Sequence, residues 1–276
     1  MTATAISTEH LTRRFGNLLA VDDVNLRVAA GQFFGFLGPN GAGKSTTIKM
    51  LTGLLAPSAG RIEILGLGLV ENPVNVKRQI GVVPEGMALF GRLTGSEYLN
   101  FAGRMYGLDR GTAAKRASEL LDFMQLADQP QTLVTDYSHG MQKKLALAAA
   151  VIHNPKILFL DEPFEGVDAV ASGTLKAMLQ RMIAHGATIF LTSHVLEIVE
   201  RLCSHVAIIH RGKLVAQGSL EELRAGVEAQ AATALAANGT PDGAALPSAE
   251  KLTLEQIFLR IVGGGRQDGQ ELSWLG

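Results

Sequence analysis

A chain of 276 residues that is 47% hydrophobic can bury a substantial core, as one large domain or a core with a subdomain, without metal or disulfide staples. Its one cysteine, Cys203, excludes an intrachain disulfide and fits a reducing compartment. A formal net charge of −1 with 18% charged residues lacks the basic footprint of a nucleic-acid binder, and no apolar run reaches the ~18 residues of a membrane span.

The opening segment MTATAISTEHLTRRFGN has no apolar stretch of signal-peptide length, so a protein made and kept in the cytoplasm is expected. Apolar and polar residues alternate from Val21 to Val28, as in half-exposed antiparallel strands. Gln32 to Leu37 is instead a nearly continuous apolar run, the pattern of a strand buried on both faces. It leads directly into Gly38, Pro39, Asn40, Gly41, Ala42, Gly43, Lys44 and Ser45, which match the P-loop pattern and precede a helical stretch. Glycines let such a loop curl so that successive N–H groups face a phosphate, and the following helix adds its positive end. Lys44 is expected to reach the β and γ phosphates of ATP, Ser45 to ligate Mg²⁺ and Thr46 to contact the α phosphate.

Gly81 to Val83 reads as another strand, after which the strand signal vanishes. From Leu93 to His153 helix formers dominate, and Thr94 followed by Glu97 has the spacing of a capping box. This predicts a helical subdomain, about residues 88–153, inserted into an α/β core of about 1–87 and 154–225. Ile157 to Leu160, Thr188 to Thr192 and Val206 to His210 supply further buried strands. The first of these ends in Asp161, Glu162 and Pro163. Its geometry delivers Asp161 to the sheet edge, to support Mg²⁺ beside Ser45, and points Glu162 at the γ-phosphate side, where a carboxylate polarises an attacking water. Residues 226–276 read as an Ala- and Gly-rich linker with one helical turn or more in it, then a short amphipathic helix built on Leu252, Ile257, Leu259 and Ile261, then a Gly-rich tail.

With the P-loop and the Asp161–Glu162 pair in place, the chain resembles the ATP-binding subunits of ABC transporters from about Ile6 to Leu223. Tyr137-Ser138-His139-Gly140-Met141-Gln142 is similar to the signature motif, usually Leu-Ser-Gly-Gly-Gln, that caps the γ phosphate held by the opposite subunit. The resemblance gives that role to Ser138 and Gly140, with a helix from Lys143 to Val151 aimed at the anion. His139 departs from the usual glycine and reads as a solvated side chain with no catalytic task. Gly166-Val167-Asp168 resembles the D-loop, which links the two sites through Asp168. His194 resembles the switch histidine of the γ phosphate, and Phe15 stands in the place of the aromatic that stacks on adenine. Glu85 stands where most members have the Q-loop glutamine; it keeps an oxygen for Mg²⁺ or water but adds a charge beside phosphates.

The resemblance implies an α/β fold with a P-loop NTPase core, an antiparallel β subdomain and an inserted helical subdomain, with residues 1–225 forming the ATPase domain. It implies ATP hydrolysis with Mg²⁺ in a homodimer or heterodimer of ATPase subunits, with Glu162, His194 and Lys44 as the catalytic set. A separate polytopic permease, of an ABC-2 kind of exporter, would hold the protein at the cytoplasmic face of the membrane. The alternative is a soluble ABC ATPase acting on nucleic acid or ribosomes, which the absence of a second cassette, sustained heptads and a basic stripe disfavours.

Overall fold

The computed structural model describes residues 3–237 and 252–263. In chain order the strands β1 (Thr4–Phe15), β2 (Leu18–Val24), β3 (Arg27–Ala29) and β4 (Phe33–Leu37) lead into helix α1 (Lys44–Leu51). Strands β5 (Ala59–Ile64) and β6 (Leu67–Gly68), helix α2 (Pro73–Lys77) and strand β7 (Ile80–Val83) follow. Helices α3 (Gly95–Met105), α4 (Arg110–Phe123) and α5 (His139–Val151) come before β8 (Ile157–Asp161), α6 (Ala169–Ala184), β9 (Thr188–Thr192) and α7 (Leu196–Leu202). Strands β10 (His205–His210) and β11 (Lys213–Ser219) and helices α8 (Leu220–Ala237) and α9 (Leu254–Val262) complete the order.

Among the described residues the strands form two sheets. One runs β11-β10-β4-β9-β8-β7, parallel throughout except for β11 on its edge. The other is antiparallel, β2-β1-β5-β6, with β3 paired to β1. Strand β4 shows why its sequence is apolar throughout. Phe34 and Phe36 face the antiparallel sheet and join Phe159, Phe190, Ile6 and Ile62. Phe33 and Leu37 face the other way, into a core with Leu145, Leu158, Leu191 and Val199. Between them Gly35 lies so close to α7 that a Cβ there would meet Val199 Cγ1 at 2.7 Å. A strand covered on both faces favours apolar residues at every position and admits a polar one only where it finds a hydrogen-bond partner.

The helical insertion between β7 and β8 starts as its sequence predicts: Thr94 caps α3, and its hydroxyl and the Glu97 side chain form a reciprocal capping box. The expected start of the signature helix at Lys143 is corrected to His139, with Ser138 as N-cap, its Oγ accepting from Met141 N at 3.3 Å. The run from Val21 to Val28 is two strands broken at Asn25 and Leu26.

The helical part expected within the linker at 226–250 runs to Ala237, as the end of α8; alanine is the best helix former, and here it outweighs the scattered glycine. Residues 238–251 and the Gly-rich tail lie outside the described residues. Helix α9 is present and capped by Thr253, but its buried contacts are Leu254 and Ile257, while Leu259 is exposed. It is tied to α7 through Glu200, which accepts from Arg224 Nη2 at 2.5 Å and from Leu254 N at 3.3 Å. Among the described residues no helix is long and apolar enough to cross a membrane.

Candidate functional site

The carboxyl ends of parallel strands β4, β8 and β9 lie side by side, and each hands the chain to a loop bearing a polar group: the P-loop, Glu162 and His194. Around them opens a cavity of about 510 Å³ lined by residues that include Phe15, Asn40, Gly41, Gly43, Lys44, Ser45, Thr46, Glu85, Glu162 and His194. The topology therefore brings most of the expected site residues to one place. Ligands in open α/β sheets sit at this end, where loops and helix N-termini converge.

The loop's curl requires glycine at Gly43, whose φ is 110° and where a Cβ would come within 2.6 Å of Ala20 O. Ala42 is buried under the loop and its N–H is used internally, donating to Pro39 O at 3.1 Å. Lys44 is 6% exposed and its ammonium donates to Gly38 O at 2.8 Å and Pro39 O at 3.4 Å, arching over the loop. It also lies 3.9 Å from Glu162 Oε1.

Asp161, buried at the end of β8, accepts from Ser45 Oγ at 3.3 Å and from Thr192 Oγ1 at 2.6 Å. Glu162 turns sharply out of the strand with φ at 48°, a left-handed conformation uncommon for a residue with a side chain. Its N–H donates to Thr192 Oγ1 at 3.2 Å, and its carbonyl accepts from Lys143 Nζ at 2.9 Å. Its Oε2 lies 2.9 Å from His194 Nδ1 and accepts the His194 N–H at 3.1 Å. A carboxylate wedged between an ammonium and an imidazole at the rim of a phosphate-sized cradle is placed to take a proton from water.

Among the described residues no group of three or more His, Cys, Asp or Glu forms a cation cage. Mg²⁺ needs none: it binds through one or two carboxylates together with substrate phosphates and water. The Ser45 hydroxyl and the Asp161 carboxylate, hard oxygen donors 3.3 Å apart at the phosphate end of the cavity, fit that pattern. Glu85 lines the cavity as an exposed carboxylate.

Phe15 closes the far end of β1, 42% exposed, with the Arg13 guanidinium 4.5 Å over its ring. Ser138, Gly140 and Asp168 do not line this cavity. They form a second cluster in which Asp168 caps α6, accepting from Ala171 N at 2.9 Å, and Gly140 packs so that a Cβ would meet Asp168 Oδ2 at 3.3 Å. Ser138 is exposed at the tip of α5. His139 is exposed too, but it is engaged: its Nε2 is 3.3 Å from Glu165 O.

Sequence reading overlooked Leu18, Ala20 and Glu165 in the cavity wall, and Thr192 and Lys143 behind the carboxylates. Thr192 had a signal, since it ends the strand that precedes His194. Lys143 had none, because a lysine in a helix reads as a solvated side chain.

A model of the ABC transporter family matches residues 21–165. The linearmycin resistance ATP-binding protein of Bacillus subtilis (strain 168) is 36% identical over 218 residues, 79% of this chain and 70% of the relative. A daunorubicin resistance ATP-binding protein of Streptomyces coeruleorubidus is 38% identical over 225 residues, 82% of this chain and 71% of the relative. Among solved structures, the ATP binding subunit of an ABC transporter superposes with a TM-score of 0.80 at 30% identity, over 94% of this chain and 99% of that one.

Proposed function

The chain belongs to the ATP-binding subunits of ABC transporters, and from that premise we propose how its residues divide the work. It binds and hydrolyses ATP. The triphosphate lies along the P-loop backbone from Gly38 to Gly43, with Lys44 on the β and γ phosphates, Thr46 near the α phosphate and adenine against Phe15. Ser45 and Asp161 would hold Mg²⁺, with Glu85 as a further oxygen donor in the cavity, and the ion would supply charge neutralisation for the phosphates. Glu162 accepts the proton of the attacking water, and His194 fixes the carboxylate and faces the γ phosphate.

Ser138 and Gly140 stand on a different face from this cavity, so they serve the site of a second ATPase subunit, and Asp168 braces them from α6. The N-terminus of α5 then presents free N–H groups to that subunit's γ phosphate. Two cavities are completed when two subunits, identical or not, close on ATP. We assign this domain to residues 1–225.

The observation that favours work on a membrane partner is an apolar groove on the helical subdomain beside Glu85. Pro84, Met87, Leu89, Tyr98, Ala102 and Tyr106 line it. Phe90 and Phe101, ring centroids 5.3 Å apart, stand exposed by 56% and 44% at its edge, with Met105 at 71%. Such a patch marks an interaction site. Its occupant is a cytoplasmic segment of a separate polytopic permease, which holds this subunit at the cytoplasmic face. Both relatives above are named for resistance, one to linearmycin and one to daunorubicin, which supports an exporter. The nucleic-acid alternative gains no support.

The test is affinity purification from detergent-solubilised membranes. The parent brings down a polytopic membrane protein, and a Phe90→Ser, Met105→Ser double variant loses it while keeping its affinity for ATP. Retention of the partner by the double variant overturns the assignment of the groove.

A further inference from the structure

Lys143 is 2% exposed, in the first turns of α5, and sequence gives it no task. Burial of an ammonium carries a large desolvation penalty, and an apolar side chain of similar volume fills helix-packing space without it. Burial pulls the Lys143 pKa down, and the surrounding carboxylates Glu165, Glu162, Glu85 and Asp161 oppose that shift. Its hydrogen bond is not to any of those carboxylates but to the main-chain carbonyl of Glu162, at 2.9 Å.

That carbonyl belongs to a residue in a conformation its side chain disfavours, with φ at 48°. Residues held in such regions persist only where their surroundings over-determine them. Both main-chain polar groups of Glu162 are pinned. The N–H is shared by the hydroxyl and the carbonyl of Thr192 on β9, and the carbonyl accepts from Lys143 Nζ on α5 at 2.9 Å and, at the longer distance of 3.3 Å, from the Glu165 main-chain N–H. Between these two anchors the left-handed turn directs the carboxylate toward Lys44 and His194. The backing continues along the same loop, where His139 reaches Glu165 O at 3.3 Å and Gly140 packs on Asp168.

We propose that Lys143 is a positioning residue for hydrolysis: its ammonium holds the Glu162 main chain in the left-handed turn that aims the carboxylate at the attacking water. The inference rests on the reading of Glu162 as base. Because α5 also carries Ser138 at its N-cap, the helix that serves the partner's nucleotide grips the base of its own site from behind.

The experiment compares the purified full chain with Glu162→Gln, Lys143→Met, Lys143→Gln and Lys143→Arg, measuring affinity for a fluorescent ATP analogue and steady-state kcat and KM. A slightly misplaced reacting group costs up to about 10²-fold, so kcat of Lys143→Met is expected to fall about ten- to a hundred-fold, with KM and affinity within about two-fold. Lys143→Arg restores the donor and most of kcat. Near-parental kcat in Lys143→Met beside an inactive Glu162→Gln overturns the positioning role and leaves the base standing. Near-parental turnover in Glu162→Gln overturns the base instead. Loss of affinity in step with kcat, in both Lys143→Met and Lys143→Gln, or failure of both to fold, reduces Lys143 to a structural residue and overturns the proposal.

Discussion

His194 Nδ1 lies 2.9 Å from Glu162 Oε2, and the same oxygen accepts the His194 main-chain N–H at 3.1 Å. A carboxylate only accepts, so this contact puts the imidazole proton on Nδ1. One oxygen of Glu162 is thereby fixed by the β9 end, while the other faces Lys44 at 3.9 Å. The carboxylate is oriented by two partners, one at the start of α1 and one in the loop after β9, before it meets water.

Glu162→Gln keeps the shape and removes the proton acceptor. Since a positioned acid or base contributes typically ~10²–10⁴-fold, turnover is expected to fall by about that factor while ATP still binds. Size-exclusion chromatography should then show an ATP-dependent dimer in the variant. Near-normal steady-state hydrolysis contradicts the assignment.

The separation of Ser138 from the P-loop cavity within one chain makes a second test direct. Ser138→Arg and Lys44→Ala are each expected to abolish turnover. Mixed together, they assemble heterodimers in which one site carries both defects and the other carries neither. Turnover should reappear in the mixture. Full activity of Ser138→Arg alone removes Ser138 from the site.

What the sequence made legible follows from burial. Strands β4, β8 and β9 are covered on both faces, so their residues are constrained everywhere and their ends, with the P-loop, Glu162 and His194, are located to within a residue. Strand β1 is twelve residues long but carries Thr8, Glu9, His10, Thr12, Arg13 and Arg14, and its partly exposed faces hid it. The left-handed turn at Glu162 was illegible for a different reason. Two of the groups that bond its main chain, Thr192 and Lys143, are distant in sequence. The extent of helix α8 was masked by composition, because alanine favours both a helix and a low-complexity linker.

His153 supplies a prediction about stability. Its ring stacks on Tyr106 with centroids 3.5 Å apart, and its Nε2 is 3.0 Å from Ile80 O. Burial, above all, pulls its pKa down to about 4; the Ile80 carbonyl opposes this and Arg116 adds to it. The sign follows from linkage: as pH falls through the unfolded pKa, near 6.5, the unfolded chain takes up a proton that the folded chain refuses until about pH 4. Stability is therefore full above about 6.5 and is lost on the way down to about 4, by ~1–2 kcal/mol after allowance for the partial exposure of the ring. His153→Gln lacks this loss. The melting temperature of the parent should approach or fall below that of the variant between pH 7 and 4.5, by about 2–8 °C relative to their difference at pH 7. An unchanged difference at the two pH values contradicts the account.

Glu85 joins the two surfaces on which the functional reading depends. It follows β7 directly after Pro84 and faces the nucleotide cavity with Ser45, Glu162 and Glu165, while Pro84 and Met87 on either side of it line the apolar groove. On the proposed reading, a movement of the groove's occupant would reach this carboxylate through the segment that carries it. Its charge is attracted by Mg²⁺ and repelled by the phosphates, so the preferred position of Glu85 changes when metal and nucleotide are both present. A glutamine has no such change of sign, so on the proposed reading the carboxylate would make the link more sensitive to loading. Glu85→Ala is expected to weaken permease-dependent stimulation of ATP hydrolysis several-fold more than it lowers basal hydrolysis by the isolated subunit, a difference of about 1 kcal/mol in the coupled state. Glu85→Gln should retain stimulation but respond less steeply to Mg²⁺. The measurement is ATPase activity with and without the reconstituted permease, and equal stimulation in Glu85→Ala and parent leaves Glu85 a loop residue with no part in coupling.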